Sequence, residues 1–206
     1  MQTIAIVAQK GGVGKTTLAL HLAVQAARTG GSIAVIDLDP QASASGWGDT
    51  RDDDEPAIVA CPAARLAITL DAAKASGARF AFIDTAPHAE SPALAAARSA
   101  DLVVIPTRPG ILDLRAIGAS IEIASLAKRR AVLVINAAPA GGAAQEAAEA
   151  ARDSYGIEAS SAVVRQRAVF GHALVKGKVA GEVEPDGRAA SEIFELWADL
   201  HRRLDV

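Results

Sequence analysis

The chain of 206 residues contains a single cysteine, Cys61, and no long apolar run. One thiol excludes an internal disulfide and any metal or iron–sulfur site built from several cysteines, and it indicates a reducing compartment. No apolar segment approaches the roughly 18 residues that a membrane-spanning helix requires. The N-terminus lacks a basic segment followed by an apolar stretch, so we expect no signal peptide and a cytoplasmic protein.

Aromatic residues are also scarce, at 3% of a chain that is 50% hydrophobic. The core must therefore consist mainly of Ala, Val, Ile and Leu, which suits helices packed closely on a parallel sheet. A net charge of −3 excludes a uniformly basic nucleic-acid-binding protein, although it allows a local basic patch. Without repeats or low-complexity tracts, this length predicts one domain that covers residues 1–206.

The most informative segment is residues 9–17, with the sequence QKGGVGKTT. It follows the apolar run Ile4–Ala8, which predicts a buried strand, and precedes the helical pattern that begins at Leu18. In such a turn the backbone N–H groups converge on a phosphate, and the helix dipole adds positive potential. Lys15 can reach the outer phosphates and the Thr16 hydroxyl can ligate Mg²⁺. The segment therefore predicts a site for a nucleoside triphosphate with Mg²⁺; the resemblance described below implies that the nucleotide is ATP.

Three carboxylates follow two other apolar strands. Asp37 and Asp39 come at the end of the run that begins at Ser32, and Asp84 ends the run that begins at Arg79. The carboxyl ends of parallel strands are where such folds bind ligands. Asp84 is therefore predicted to face the nucleotide-bound Mg²⁺. Asp37 and Asp39 can contact the magnesium shell or orient a water, and capping of a loop is the alternative.

Two further features lie in the second half of the chain. Asn136 follows an apolar strand, where its amide can pair with an adenine edge or cap a loop. Between Ala159 and Gly181 there are four cations and no carboxylate, so this segment is the candidate DNA-facing patch, with a solvated face as the alternative. The four cations are Arg165, Arg167, Lys176 and Lys178.

The alternation of apolar strands with helical patterns predicts the fold. Right-handed crossovers would build an α/β, three-layer P-loop NTPase fold with a mainly parallel, doubly wound sheet. Residues 42–56 are predicted to form a polar, acidic surface loop that is interrupted by Trp47. A last short strand is expected within residues 160–170, and Lys128–Arg130 are expected to be solvated charges at a helix end.

The segment KGGVGKTT resembles the deviant Walker A motif of the ParA/MinD family of ATPases, with Gln9 where the usual first glycine would stand. The sequence DLDPQ from Asp37 resembles the switch I segment of that family, and DTAP from Asp84 resembles its Walker B and switch II segments. The length is similar to that of the small ParA-type (ParF-like) DNA-partition ATPases.

The resemblance implies roles for particular residues. Lys10 would cross to the nucleotide of a partner protomer, Asp39 would position the attacking water, and Asn136 would contact adenine. The implied catalytic residues are Lys10, Lys15 and Asp39. The implied metal-site residues are Thr16, Asp37, Asp39 and Asp84. The implied ATP-binding residues are Lys10, Gly11, Gly12, Val13, Gly14, Lys15, Thr16, Thr17 and Asn136.

The resemblance also implies a function. An ATPase of this kind forms a homodimer on ATP binding, binds DNA without sequence preference on the nucleoid, and hydrolyses ATP slowly until a small centromere-binding (ParB/ParG-like) protein stimulates it. The alternatives are a MinD-like or protein-cargo-positioning ATPase and, as a third class, a metabolic P-loop ligase or kinase. A membrane partner is not expected, because a basic amphipathic tail is absent.

Overall fold

The computed structural model of the protein describes residues 1–204, and these contain six strands in one sheet. The strands are β1 Gln2–Ile6, β2 Ser32–Asp37, β3 Ala57–Ala60, β4 Ala78–Asp84, β5 Leu102–Thr107 and β6 Ala131–Ile135. All pairings are parallel, and the order across the sheet is β3-β2-β4-β1-β5-β6. The prediction of a parallel α/β sheet is therefore confirmed.

Helices connect the strands and cover the sheet. They are α1 Lys15–Ala27, α2 Ser43–Gly48, α3 Leu66–Ala75, α4 Glu90–Ser99, α5 Ile111–Leu126, α6 Ala143–Tyr155, α7 Ala168–Leu174, α8 Ala180–Val183 and α9 Arg188–Leu204, with a 3₁₀ turn at Ala63–Arg65. Within residues 1–204, no helix is both long enough and apolar enough to cross a membrane.

The core has two layers, one on each face of the sheet. Because successive strand side chains point to opposite faces, Ile4 and Ile6 of β1 join one apolar cluster and Ala5 joins the other. The first cluster includes side chains of α1 and α9, and the second includes side chains of α3 to α6. Burial on both faces explains why the strands are almost continuously apolar.

The segment predicted as a polar loop contains a short helix instead, α2. The carboxylate of Asp37 caps it from outside, because its Oδ2 atom accepts hydrogen bonds from the backbone N–H groups of Ala44 and Ser45. Trp47 of this helix is buried in the core. The helix was missed because it is too short to show a helical period, and its cap comes from a different element.

The last short strand predicted within residues 160–170 does not form. Instead, the chain runs beside β6 and makes isolated parallel bridges, Leu133 with Ala159 and Ala138 with Arg165. These contacts occupy the outer edge of β6, and α7 and α8 follow. The segment therefore covers a sheet edge without extending the sheet.

Helix α5 ends in a turn that normally contains glycine. The N–H of Lys128 donates to the Ser125 carbonyl at 2.9 Å, and the N–H of Arg129 donates to the Ala124 carbonyl at 3.1 Å. This pair of bonds is the Schellman pattern, in which the residue with left-handed backbone is usually glycine. Here that residue is Lys128, with a φ of 55°. For a residue with a Cβ atom, this conformation raises the free energy of the folded chain by roughly 1–2 kcal/mol. The backbone conformation at this position therefore favours glycine over lysine.

A buried histidine joins the helix after the P-loop to α8. His21 Nε2 accepts the N–H of Ala180 at 3.0 Å, so its Nδ1–H is the donor to the Thr17 carbonyl at 2.7 Å. The imidazole is therefore neutral, with the proton on Nδ1. Burial lowers the pKa of His21 to about 4, against smaller opposing effects of the Thr17 hydrogen bond and the Glu182 charge.

This histidine predicts acid sensitivity of the fold. Between pH 6.5 and 4 the unfolded chain binds a proton at His21 and the folded chain does not, so its contribution to stability falls as the pH falls. The expected loss is about 3 kcal/mol, at 1.36 kcal/mol per unit of pKa difference. In urea unfolding from pH 7 to pH 4.5, the stability advantage of wild type over His21→Gln should shrink. A constant difference across this range would contradict the assignment.

Candidate nucleotide-binding and hydrolysis site

The glycine-rich loop follows β1 and leads into α1, as predicted. Gly12 and Gly14 have φ values of 73° and 93°, in the left-handed region that favours glycine. A Cβ atom on Gly14 would lie 2.2 Å from the Asn136 amide nitrogen, so no side chain fits there. The close approach of the loop to β6 therefore requires glycine at this position.

Lys15 lies inside the loop and is 7% exposed. Its ammonium donates to the Lys10 carbonyl at 3.4 Å, which directs the side chain back over the loop. Burial lowers the pKa of Lys15, while the carboxylates of Asp84 and Asp39 act in the opposite direction. A phosphate at this position would supply the negative charge that the partly desolvated ammonium needs.

Asp84 ends β4 next to the loop, directly beside Asp37 and Ile6 in the sheet register. The Thr16 hydroxyl donates to its Oδ2 atom at 2.6 Å. Its Oδ1 atom is buried and has no hydrogen-bond partner within residues 1–204. Burial raises the pKa of Asp84 to about 7, the Thr16 bond opposes this, and the charges of Asp37 and Asp39 add to it.

These residues fit a magnesium ion that arrives with a nucleotide. Mg²⁺ is usually held by one or two carboxylates together with waters and substrate phosphates. The unpartnered Oδ1 atom of Asp84 lies beside the Thr16 hydroxyl and provides an acceptor for such a hydrated ion. In the described part of the chain, no group of three or more His, Cys, Asp or Glu side chains could hold a metal alone. A bound Mg²⁺ would supply charge neutralisation for the phosphates here.

The two switch I carboxylates have different surroundings. Asp37 is buried, and besides capping α2 it accepts the N–H of Asp39 at 3.0 Å through Oδ1. Asp39 is half-buried and accepts the N–H of Gln41 at 2.9 Å. Asp37 therefore shapes the segment that carries Asp39, and Asp39 is the carboxylate with access to a water. Their roles in catalysis and metal support stay predictions.

Asn136 connects the end of β6 to the P-loop. Its amide donates to the Val13 carbonyl at 2.7 Å, a contact that the sequence did not reveal. The amide keeps one N–H and its oxygen for a ligand. It borders a cavity of about 290 Å³ beside the loop. Other lining residues include Thr17, Arg108, Arg165, Gln166, Arg167 and Phe170. A nucleotide base in this cavity would lie beside Asn136, and the adenine contact stays a prediction.

The four cations of the candidate DNA-facing patch are divided between two places. Arg165 donates to the Pro139 carbonyl at 2.6 Å, and Arg167 is paired with Glu192; both line the nucleotide cavity. Lys176 and Lys178 are exposed in the connection between α7 and α8. Two of the four are therefore engaged beside the nucleotide site.

The side chain of Lys10 forms an ion pair with the start of α5. Its Nζ atom lies 2.7 Å from Asp113 Oδ1 at the start of α5, and the lysine side chain is 38% exposed. The pairing of Asp113 with Lys10 was not predicted from the sequence. Only the fold shows that Asp113 lies opposite the first lysine of the loop.

A buried lysine, a hydroxyl and a strand-end carboxylate around one glycine-rich loop define a P-loop nucleoside triphosphatase. Residues 4–193 match the model of the CobQ/CobB/MinD/ParA nucleotide binding domain, and the chain belongs to that family. It is an ATPase that uses ATP and Mg²⁺.

Relatives of known name span the whole chain. It is 33% identical to the maintenance of carboxysome distribution protein A of Gloeobacter kilaueensis, over 95% of each chain. It is 26% identical to the protein of the same name from Halothiobacillus neapolitanus, over 96% of this chain and 95% of that one. These full-length relatives are not ParF-like partition ATPases, so the finer part of that resemblance is not supported.

The fold is also that of a solved nucleotide complex. The septum site-determining protein MinD of Pyrococcus horikoshii, complexed with Mg-ADP, superposes with a TM-score of 0.79 and 20% identity. The match covers 97% of this chain and 95% of MinD. This likeness shows the shared fold.

The contact between Gly14 and Asn136 gives a second prediction. Gly14→Ala should weaken ATP binding at least about tenfold, or 1.4 kcal/mol, because the new methyl group would displace the Asn136 amide and strain the loop. Titration calorimetry with ATP and Mg²⁺ measures this. Gly46→Ala in α2 is the matched control, since its Cβ would meet no atom within 4 Å. Equal ATP affinity in the two variants would contradict the proposed geometry.

Proposed function

We propose that this ATPase is a positioning switch. ATP binding joins two protomers face to face, the dimer binds DNA without sequence preference, and a partner protein stimulates hydrolysis and release. Such a protein would be cytoplasmic and associated with the nucleoid. The nucleotide site lies at the carboxyl edge of the sheet, so this edge would form the dimer interface.

The observation that carries the proposal is the position of Lys10. It lies on the phosphate-binding loop, yet its ammonium contacts Asp113 and is partly exposed, while Lys15 occupies the loop itself. A partly exposed ion pair contributes about 0–1 kcal/mol. The negative charge of a triphosphate on a facing protomer can therefore replace Asp113 as the partner of Lys10, with only a small loss of free energy.

Apolar surface next to this ion pair supports the same interface. Ile111 and Leu112, which directly precede Asp113, are 64% and 68% exposed. Adjacent exposed apolar side chains commonly mark protein contacts. A dimer that brings Lys10 to a second nucleotide would cover them.

A lysine supplied in trans would also make turnover slow. A cation supplied across an interface resembles an arginine finger, which accelerates hydrolysis roughly 10³–10⁵-fold. Lysine offers a point charge where arginine offers a planar fork, so the gain should be smaller. Slow intrinsic hydrolysis would keep the dimer assembled until a partner protein stimulates it.

The cargo distinguishes two forms of the proposal. One is a DNA molecule that carries a small centromere-binding (ParB/ParG-like) protein, and the other is a protein body linked by an adaptor. The names of the full-length relatives concern carboxysome distribution, which favours a protein body as the cargo. Of the four cations in the candidate patch, Lys176 and Lys178 remain available for DNA, and they lie beside α2 and the residues that follow it.

The third prediction tests the switch. Lys10→Ala should bind ATP with near wild-type affinity but fail to dimerise, because its cation no longer reaches the facing triphosphate. Light scattering with size-exclusion chromatography in ADP and in ATP measures the dimer. A shift assay on long, random-sequence DNA, with ADP, with ATP and with ATP at raised salt, measures the second step.

Two variants serve as controls for this experiment. Lys15→Ala should lose ATP binding and therefore both later steps, whereas Asp113→Asn, which releases Lys10, should dimerise at least as well as wild type. A Lys10→Ala protein that still dimerised and hydrolysed ATP would contradict the role in trans. Equal retention on long DNA in ADP and in ATP would contradict the switch itself.

A further inference from the structure

A group of cations lies at the edge of the sheet opposite the nucleotide site. It consists of Arg98, Lys128, Arg129 and Arg130, and we call it the basic pole. Lys128–Arg130 immediately precede β6, and Arg129 Nη2 donates to the Arg98 carbonyl at 2.8 Å. All four are exposed. Lys128–Arg130 border an open cleft of about 420 Å³, together with Gln2 and Asp101.

These four cations differ from their neighbours in having no acidic partner. Within residues 1–204, none of them forms an ion pair with a carboxylate. By contrast, Arg202 pairs with Asp199, and Arg203 pairs with both Asp199 and Glu158. In a chain with a net charge of −3, this pole concentrates positive charge among the described residues, with Asp101 as the carboxylate in the same cleft.

The backbone gives a second, independent observation. Lys128 occupies the left-handed position at the end of α5, where glycine would be less strained. Strained backbone of this kind is found preferentially at functional sites. Glycine would relieve this strain, so the fold alone gives no reason for a lysine at this position.

We infer that the basic pole binds the phosphodiester backbone of duplex DNA. This rests on the proposed function for the choice of DNA, and it places the contact at the edge away from the nucleotide. A membrane surface fits less well, because an interfacial element needs an apolar stripe. Here the exposed apolar side chain on the last turn of α5 is Leu126 alone among the described residues.

The location has a consequence for the switch. The pole is complete in one protomer, so it binds a short duplex with ADP as well as with ATP. In a dimer joined at the nucleotide edge, the two poles face away from each other and contact separate DNA segments. ATP then strengthens retention on long or densely packed DNA by joining two binding sites, without changing either one.

The test combines Lys128→Gly, Arg129→Gln and Arg130→Gln. Fluorescence anisotropy with a short random-sequence duplex, in ADP, gives the affinity as a function of salt. If each cation neutralises one phosphate, the slope of log affinity against log salt is about −3.6 for wild type and about −0.9 for the triple variant. Arg65→Gln, Lys74→Gln and Arg188→Gln together form the control, since they remove the same charge from exposed positions elsewhere.

The single variant Lys128→Gly separates the loss of a charge from a loss of folding. Glycine adopts the required backbone conformation freely, so thermal unfolding should occur at or above the wild-type temperature while the salt slope weakens by about 0.9. An unchanged slope in both the single and the triple variant would overturn the inference.

Other outcomes separate this inference from the proposed function. If Lys176→Gln with Lys178→Gln abolishes binding and the triple variant does not, the contact lies in the connection between α7 and α8, and the switch stands without the basic pole. If wild type binds vesicles of phosphatidylglycerol but no duplex, the pole recognises lipid phosphate and the inference fails. If wild type binds DNA in no nucleotide state, both the inference and the DNA step of the function fail, while the Lys10→Ala experiment still decides dimerisation.

Discussion

The hydrogen bond from the Thr16 hydroxyl to Asp84 joins the two halves of the nucleotide site. Thr16 belongs to the first turn of α1, and Asp84 is the last residue of β4. Because β1 leads into the loop before α1, this bond requires β1 and β4 to pair in a fixed register. A slip of one residue in β4 would turn Asp84 to the other face of the sheet. The two apolar clusters that hold β1 and β4 therefore determine the chemistry as well as the stability.

Burial disfavours the charged form of the two main ionisable groups at this site, one of which is an acid and the other a base. The pKa of Asp84 is raised to about 7, and the pKa of Lys15 is lowered. A triphosphate with its Mg²⁺ offers an anion to the lysine and a cation to the aspartate. Both groups are thus prepared for the same ligand, and binding it would also stabilise the folded state by mass action.

The sequence revealed those parts of the site that depend on contiguous residues. The P-loop and Asp84, the last residue of β4, are each part of a local sequence pattern. In a parallel sheet both lie at the carboxyl ends of strands, which share one edge. It did not reveal the pairing of Lys10 with Asp113, the bond from Asn136 to Val13, or the capping of α2 by Asp37. The first two contacts join residues more than a hundred positions apart, and the third supports a helix too short to have a period. The basic residues were grouped by their spacing along the chain, whereas the fold separates Arg165 and Arg167 from the two lysines.

The two outer strands of the sheet are protected to different extents. Along β6, the segment that includes Ala159 and Val164 already accepts and donates backbone hydrogen bonds, so this side is closed to another chain. On the other side, β3 is a four-residue strand whose Val59 is 42% exposed. Unpaired outer strands are templates for strand addition. Any fibre that grows by continuing the sheet from one molecule to the next would therefore begin at β3 and could not continue through β6, which limits growth of that kind to pairs.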